Sequence, residues 1–261
     1  FSGIFACMTD RFVSEEIVQG APKELTLSAH QTRVSVSNEG AMVRTFRLAD
    51  KSIFFPDQEL SIDGKQKRRG GMPILFPQAG PSPEGFDLPQ HGFGRDRLWK
   101  LSHNNSHRIG LTLQSSEETK KIYPYSFSLG LSITAENDGL NYALLIFNTG
   151  DDHMPVAPGL HPYFNLPHRK ISDIETNIPG FDPKSYELGK SLIFPMQGKI
   201  ELTIPGVGKI TMSPAGEFIF HKGKIVVWSD NPNYLCVEPW AARVGALSDS
   251  NERINIPPGK D

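Results

Sequence analysis

The sequence predicts an all-β protein, a sandwich of antiparallel sheets in one domain. Apolar and polar residues alternate with period two along the whole chain, as in Thr32–Ser37 and Arg108–Gln114. Turn residues separate these segments, and no window of a dozen residues shows helical periodicity. Period-two alternation puts one strand face on a core, and many short strands at regular spacing are typical of sandwiches.

The predicted strands follow one another from Glu24 to Glu238. They are Glu24–Ser28, Thr32–Ser37, Arg108–Gln114, Phe127–Thr134, Leu140–Asn148, Ile200–Ile204, Ile210–Met212, Glu217–His221, Ile225–Trp228 and Tyr234–Glu238. The residues Asn137-Asp138-Gly139 between two alternating segments predict a tight hairpin. Any helices are expected to be single turns, near Glu15 or Pro183.

The composition excludes several classes of protein. Lys and Arg number 27 against 29 Asp and Glu, a net charge of −2, which disfavours a nucleic-acid binder with its concentrated basic face. Hydrophobic residues make up 38% and charged residues 21%, too apolar for a disordered chain. Apolar runs such as Tyr142–Phe147 are far shorter than the ~20 residues that span a bilayer. Because all-β domains reach ~250 residues as one unit, residues 1–261 are predicted to form a single domain.

The two cysteines, Cys7 and Cys236, are far apart in the sequence and favour a reducing compartment. The start, Phe1–Cys7, lacks the basic leader and full apolar stretch of a signal peptide. We therefore expect a cytoplasmic protein. The chain opens without Met and ends abruptly at Asp261, so trimmed ends, and with them an organelle stroma, remain an alternative.

Three stretches interrupt the strand pattern, and functional residues concentrate on such loops. The first, Arg68–Arg97, is rich in Gly, Pro and Arg, and it also carries Ile74, Phe76, Phe86 and Phe93. These apolar residues favour a packed, functional loop over a solvated one. The second and third are Pro158–Pro167, which contains His161, and Val237–Trp240, which contains Glu238. Each of these two is weak alone, since a buried structural His and an exposed strand-end acid are common.

Taken together, four blocks resemble the galactose mutarotase-like family, and within it the glucose-6-phosphate 1-epimerase (hexose-6-phosphate mutarotase) branch. The blocks are Arg69–Gln78, Gln90–Trp99, His161–Phe164 and Cys236–Trp240, and their order and spacing fit from about Leu25 to Gly259. The resemblance implies a β-supersandwich that binds a sugar in a shallow cleft and interconverts its α and β anomers. The family's active-site histidines map onto His91 and His161, and its catalytic glutamate maps onto Glu238.

Ring opening requires a base at the C1 hydroxyl and an acid at the ring oxygen, and it needs neither metal nor cofactor. We assign Glu238 as the base and His161 as the acid, with His91 orienting the sugar. For the two groups to exchange protons near neutral pH, the His should keep a pKa close to its ordinary ~6.5. The pKa of the Glu should be raised by burial from its ordinary ~4.3.

The resemblance also implies that arginines of the Gly-rich loop bind a phosphate, namely Arg69, Arg95 and Arg97. Arginine suits this role because its planar fork donates two parallel hydrogen bonds. The alternative is a solvated rim balanced by Asp87 and Asp96. Further substrate contacts are expected from Gln90 and from three aromatic residues, Phe93, Tyr163 and Trp240. For the aromatic residues, packing in the core is the alternative.

The sequence gives no sign of a metal or nucleotide site. His103 and His107 have i, i+4 spacing, but Asn104-Asn105 between them indicates a hairpin, and no acid cluster joins the cysteines. Gly70-Gly71 lacks the spacing of a dinucleotide-binding loop. The expected partner is a small sugar or sugar phosphate, bound by a monomer.

Two other functions stay open. The segment Phe194–Ile200 lacks an aspartate that relatives usually use to hold sugar hydroxyls, which favours a catalytically inactive carbohydrate-binding or assembly subunit. The presence of His91, His161 and Glu238 together favours an enzyme. A free-aldose epimerase, in which the arginines only frame the cleft, is the third possibility.

Overall fold

The structure is a computed structural model that describes residues 23–216 and 222–261. The first eleven strands are β1 (Glu24–Ala29), β2 (Thr32–Ser37), β3 (Met42–Leu48), β4 (Lys51–Ser52), β5 (Gln58–Ile62), β6 (Lys65–Arg69), β7 (Ile74–Leu75), β8 (Lys100–Asn104), β9 (Arg108–Gln114), β10 (Phe127–Glu136) and β11 (Gly139–Asn148). The next ten are β12 (Met154–Val156), β13 (Gly159–Leu160), β14 (Tyr163–Asn165), β15 (Glu175–Thr176), β16 (Ser191–Pro195), β17 (Ile200–Ile204), β18 (Gly208–Met212), β19 (Lys224–Trp228), β20 (Tyr234–Trp240) and β21 (Ile254–Ile256).

The strands form antiparallel sheets. Two four-stranded sheets have the orders β1-β2-β3-β4 and β11-β10-β9-β8. A six-stranded sheet has the order β16-β19-β20-β13-β7, with β14 also paired to β20. Smaller sheets join β15-β17-β18, β12-β21 and β5-β6. The predicted all-β fold of antiparallel sheets is therefore confirmed for the described residues.

Most predicted strands are found within a residue or two of their predicted limits. The hairpin at Asn137-Asp138 is confirmed, since Glu136 pairs with Gly139 across a two-residue turn. The turn between His103 and His107 is also a hairpin, between β8 and β9. The predicted strand Glu217–His221 and the predicted turn near Glu15 lie outside the described residues.

Helical structure is scarce in the described part of the chain. Three-residue 3-10 turns occur at Gly94–Asp96, Ile171–Asp173, Pro183–Ser185 and Ala246–Ser248, and the third was predicted. One helix, α1 (Glu117–Ile122), was not predicted. The Ser116 hydroxyl accepts a hydrogen bond from the Thr119 amide, and the Thr119 hydroxyl accepts one from the Ser116 amide. This reciprocal cap stabilises a helix too short to show periodicity.

The core is continuous from sheet to sheet. It is formed by the apolar faces of the alternating strands, with Leu27, Ile109, Leu131 and Val237 among its residues of 0% exposure. Among residues 23–216 and 222–261, no helix is long and apolar enough to cross a membrane.

The loop Arg68–Arg97 is packed, as predicted, although parts of it are regular. Arg68 and Arg69 end β6, and Ile74-Leu75 forms β7 inside the six-stranded sheet. The Phe93 and Gly94 amides both donate to the Phe76 carbonyl, which folds the loop back on itself.

Candidate active site

Glu238 lies on β20, a central strand of the six-stranded sheet. Every residue of β20 is buried, and the Glu238 side chain is only 2% exposed. Val226 of β19 is its partner across the sheet. The apolar residues around Glu238 in the sequence therefore give a buried carboxyl, and not the exposed strand-end acid that was the alternative.

His161 follows β13 and lies against this carboxyl. Its backbone amide donates to the Pro73 carbonyl at 3.0 Å, and its Nε2 is 3.4 Å from Glu238 Oε1. The imidazole stacks on the Tyr163 ring with centroids 4.7 Å apart and planes 8° apart, and it meets the Trp228 ring edge-on at 5.7 Å. The two rings hold the imidazole in one orientation toward Glu238.

His91 comes from the Gly-rich loop, and its ring lies 5.5 Å from that of His161. Its backbone is left-handed, with φ 67°, an uncommon conformation for a non-glycine residue. The Gly80 amide donates to His91 Nδ1 at 3.0 Å. Because Nδ1 accepts this hydrogen bond, the proton of neutral His91 is on Nε2, which makes His91 a hydrogen-bond donor.

Trp240 holds the second oxygen of Glu238. Its Nε1–H donates to Glu238 Oε2 at 3.0 Å, and its ring packs with Leu75, Ala79 and Val226. The structure thus gives Trp240 a buried position beside the carboxylate, with its ring 5.9 Å from that of His91. Its role as a platform for the sugar stays a prediction.

Burial sets the protonation of the catalytic candidates. Desolvation raises the pKa of Glu238 to about 8, against the lowering effects of the Trp240 hydrogen bond and of Arg95. Desolvation, His91 and Arg95 lower the pKa of His161 well below its ordinary value, and desolvation and Arg95 lower that of His91 to about 4. The expected rise for Glu238 is confirmed, but the expectation that His161 keeps an ordinary pKa is wrong, since the ring is too buried to be charged easily.

Three predicted arginines have different surroundings. Arg69 pairs with Asp230 at 2.7 Å and lies over the Trp228 ring at 5.2 Å. Arg95 donates to the Gln90 carbonyl at 3.0 Å and has no salt bridge within the described chain. Arg97 pairs with Glu118 of α1 at 2.7 Å.

A cavity of about 460 Å³ lies against Tyr163 and is lined by both acidic and basic side chains. The acidic ones are Glu39, Asp57 and Asp96. Arg69, Arg95 and Tyr163 line it, and Arg97 does not. Two further arginines, which share Asp57, complete the basic part of its wall: Arg44 and Arg68. Tyr163 joins the cavity to the catalytic candidates, because the same ring stacks on His161.

The two remaining residues predicted to contact the substrate, Gln90 and Phe93, lie in different surroundings. Gln90 is exposed, and its Nε2 is 3.4 Å from His91 Nε2, so it lies at the site. Phe93 is 2% exposed and packs against Phe76 and Phe127 in the core. The structure therefore corrects the expectation that Phe93 contacts the sugar.

Sequence reasoning missed three residues of the site. Trp228 contacts His161, Asp230 anchors Arg69, and Cys236 lies within 4.8 Å of ligand atoms of His161 and Glu238. A signal for Cys236 existed, since it precedes Glu238 by two residues on a strand and so shares its face. Asp230 reads in the sequence only as a turn residue, and nothing local indicates its partner.

A family model described as aldose 1-epimerase matches residues 23–193, which include His91 and His161. This chain belongs to the aldose 1-epimerase family. Glu238 lies C-terminal to the matched segment, and the structure is what brings it to the histidines of this family member.

Two curated relatives of this aldose 1-epimerase family member are bacterial. Two proteins named "Putative glucose-6-phosphate 1-epimerase" are similar to it. The Escherichia coli (strain K12) protein is 28% identical over 141 residues, and the Salmonella typhimurium protein is 31% identical over 141 residues. Each match covers 52% of this chain and 46% of the relative, so the chain spans about half the length of these relatives.

Solved structures resemble this family member over most of its length. A protein from Synechocystis sp. PCC 6803 superposes with a TM-score of 0.76 at 26% identity, covering 92% of this chain and 93% of that one. A galactose mutarotase-like protein from Lactobacillus casei ATCC 334 has a TM-score of 0.72 at 18% identity, covering 91% and 96%. The second likeness supports the fold alone.

Proposed function

We propose that this aldose 1-epimerase family member interconverts the α and β anomers of a hexose 6-phosphate. The observation that carries the proposal is the contact between His161 Nε2 and Glu238 Oε1, with His91 beside it. A carboxyl and an imidazole in contact share one proton, which is what ring opening and closing needs.

In the proposed reaction, Glu238 accepts the C1 hydroxyl proton while His161 donates a proton to the ring oxygen. Opening thus leaves Glu238 protonated and His161 neutral, and closure on the other face of C1 returns both protons. The raised pKa of Glu238 and the lowered pKa of His161 favour the protonation state of the open-chain stage. Burial therefore supports the intermediate that is otherwise least stable.

Before opening, the shared proton must be on His161. In the free protein it is on Glu238, so it moves across the 3.4 Å contact when the sugar binds. Sugar hydroxyls that donate to the carboxylate favour this shift, because hydrogen bonds to the charged form lower a pKa. His91, with its proton on Nε2, is placed to donate to a sugar oxygen and hold C1 against the pair.

The phosphate is assigned to the arginine-lined cavity. Arg95 carries this assignment, since it lines the cavity without a carboxylate partner in the described chain. Arg69 is already oriented by Asp230 and Trp228, and it presents its remaining surface to the same cavity. Two guanidinium groups at one cavity favour a dianionic group over a hydroxymethyl group.

The test compares glucose 6-phosphate with glucose in an anomerisation assay on three proteins. Arg95→Ala should raise KM for glucose 6-phosphate by roughly 10- to 100-fold, the effect of a lost charge-assisted hydrogen bond. It should change KM for glucose little. Arg97→Ala is the matched control, because Arg97 is on the same loop but pairs with Glu118 outside the cavity. Its kinetics should resemble those of the unmodified protein.

Each competing function predicts a different result. Equal kcat/KM for the two sugars, with no effect of added salt, would make this a free-aldose epimerase. Binding of a sugar phosphate without catalysis would favour the inactive carbohydrate-binding subunit, which the missing aspartate at Phe194–Ile200 suggests.

A further inference from the structure

Cys236 adds a third metal-ligating side chain to the candidate catalytic pair. One ligand atom of each of His161, Cys236 and Glu238 lies within 4.8 Å of the others, and all three residues are buried. Cys236 is a free thiol with 0% exposure. It is held by the β20 backbone, which pairs it with Tyr163 of β14 and Trp228 of β19.

These three ligand types match the preferences of zinc. Zinc(II) binds thiolate sulfur, imidazole nitrogen and carboxylate oxygen in a tetrahedron. The bond lengths of 2.0–2.3 Å imply ligand atoms roughly 3.3–3.8 Å apart, so the side chains need to close by about 1 Å. Three protein ligands leave the fourth position open, as in zinc sites that keep a water or a small ligand.

One further contact favours a ligand at this point. Trp240 donates to Glu238 Oε2 and leaves Oε1 facing His161. Donors of this kind orient the carboxylate ligand in metal sites.

We propose that His161, Cys236 and Glu238 form an inhibitory site for zinc or a similar thiophilic divalent ion. The ion replaces the protons of the Cys236 thiol and the Glu238 carboxyl, which pass to solvent, and it takes the imidazole lone pair. It thereby occupies the base and the acid together. Metal binding does not depend on the proposed function, whereas inhibition of anomerisation rests on it.

The binding test uses cobalt(II) as a spectroscopic probe of the full chain. A thiolate bound to cobalt(II) gives a near-ultraviolet charge-transfer band, and tetrahedral coordination gives strong visible bands. We expect both on cobalt addition, and we expect zinc to displace them. Cys236→Ser keeps the shape of the side chain but removes the thiolate, so the charge-transfer band should disappear. Cys7→Ser is the matched control, since Cys7 is the other cysteine of the sequence, and the band should persist.

The functional test measures zinc inhibition of anomerisation and its reversal by EDTA. Cys236→Ser should need at least tenfold more zinc for half inhibition than the unmodified protein. Cys236→Ala provides the same comparison if the serine variant unfolds. A cobalt band that survives Cys236→Ser, or no band at millimolar cobalt, would overturn the site. Zinc that displaces cobalt without slowing the reaction would overturn the inhibitory role, while a metal-free protein without activity would count against the proposed function alone.

Discussion

Glu238 is almost fully buried, and each of its carboxylate oxygens has a different neighbour. Oε1 faces His161 and Oε2 accepts the Trp240 Nε1–H. A buried carboxyl with a raised pKa beside an imidazole is typical of acid–base sites. At the scale of single residues, these two contacts therefore determine how Glu238 gains and loses its proton.

Replacement of Glu238 by Gln keeps the shape of the side chain but removes its proton transfer. We expect kcat to fall by about 10²-fold or more, with KM nearly unchanged. Steady-state anomerisation kinetics measure both. Glu187→Gln is a control, because Glu187 pairs with Lys190 on the surface. An unchanged kcat in a correctly folded Glu238→Gln protein would remove Glu238 from the mechanism.

The pH profile follows from the shared proton. Glu238 loses its proton near pH 8 and His161 takes a second one only well below pH 6.5, so the pair holds a single proton between these limits. We expect kcat/KM to fall on the alkaline side near pH 8, where no proton remains to donate. On the acidic side it should fall well below pH 6.5, where no base remains.

The variant Trp240→Phe tests the same fall of activity on the alkaline side through a residue that contacts Glu238. The Trp240 N–H stabilises the carboxylate form of Glu238, so its removal should raise the pKa of Glu238 further. The fall of kcat/KM on the alkaline side should then move to higher pH. If Trp240 contributes packing alone, the variant melts at a lower temperature and that fall stays in place.

At the scale of elements, a strand and a loop both contribute to the site. Glu238 is on strand β20, and His91 is on the Gly-rich loop. Central strand β20 is rigid, with hydrogen-bonded neighbours on both sides, and it fixes Cys236, Glu238 and Trp240 on one face. The loop reaches the same point only through close backbone contacts. Its geometry therefore depends on individual glycines.

Gly92 is the glycine that the position of His91 depends on most directly. Its φ is +69°, and an added Cβ would lie 2.0 Å from the Phe76 carbonyl oxygen. Gly92→Ala should displace the loop, lower the melting temperature and reduce kcat. Gly85→Ala is the matched control, with φ +82° but nothing within 4 Å of the added Cβ. It should cost only the about 1–2 kcal/mol of a left-handed alanine, with kcat kept. Equal effects of the two substitutions would contradict this account of the loop.

At the scale of the whole molecule, the core runs through the sheets without a break, which supports the single-domain prediction. We expect tryptophan fluorescence and far-ultraviolet circular dichroism to report one coincident unfolding transition in denaturant. Trp99 precedes β8 of a four-stranded sheet, while Trp228 and Trp240 lie in the six-stranded sheet. Fluorescence that changes at a different denaturant concentration from the circular dichroism would show separate folding units.

The sequence by itself determined the all-β class, nine of the 21 strands in the described residues and the catalytic candidates. Period-two alternation reports which strand face is buried, and the turn residues report where strands end, so both are local signals. The strands near Thr32 and Arg108 and the hairpin at Asn137 followed from them. His91, His161 and Glu238 followed instead from the resemblance of the motif blocks to a known family.

Only the tertiary structure decided what surrounds those residues. The partners of Glu238, Arg69 and Arg97 are at distant positions or on elements that carry no periodic signal, such as α1. Aromatic residues look alike in a sequence whether they face a cleft or a core, which is why Phe93 was expected at the cleft although it packs in the core. The protonation of His161 also depends on the tertiary structure, because its pKa is set by how far the folded chain excludes water from the ring. No local stretch of sequence contains that information.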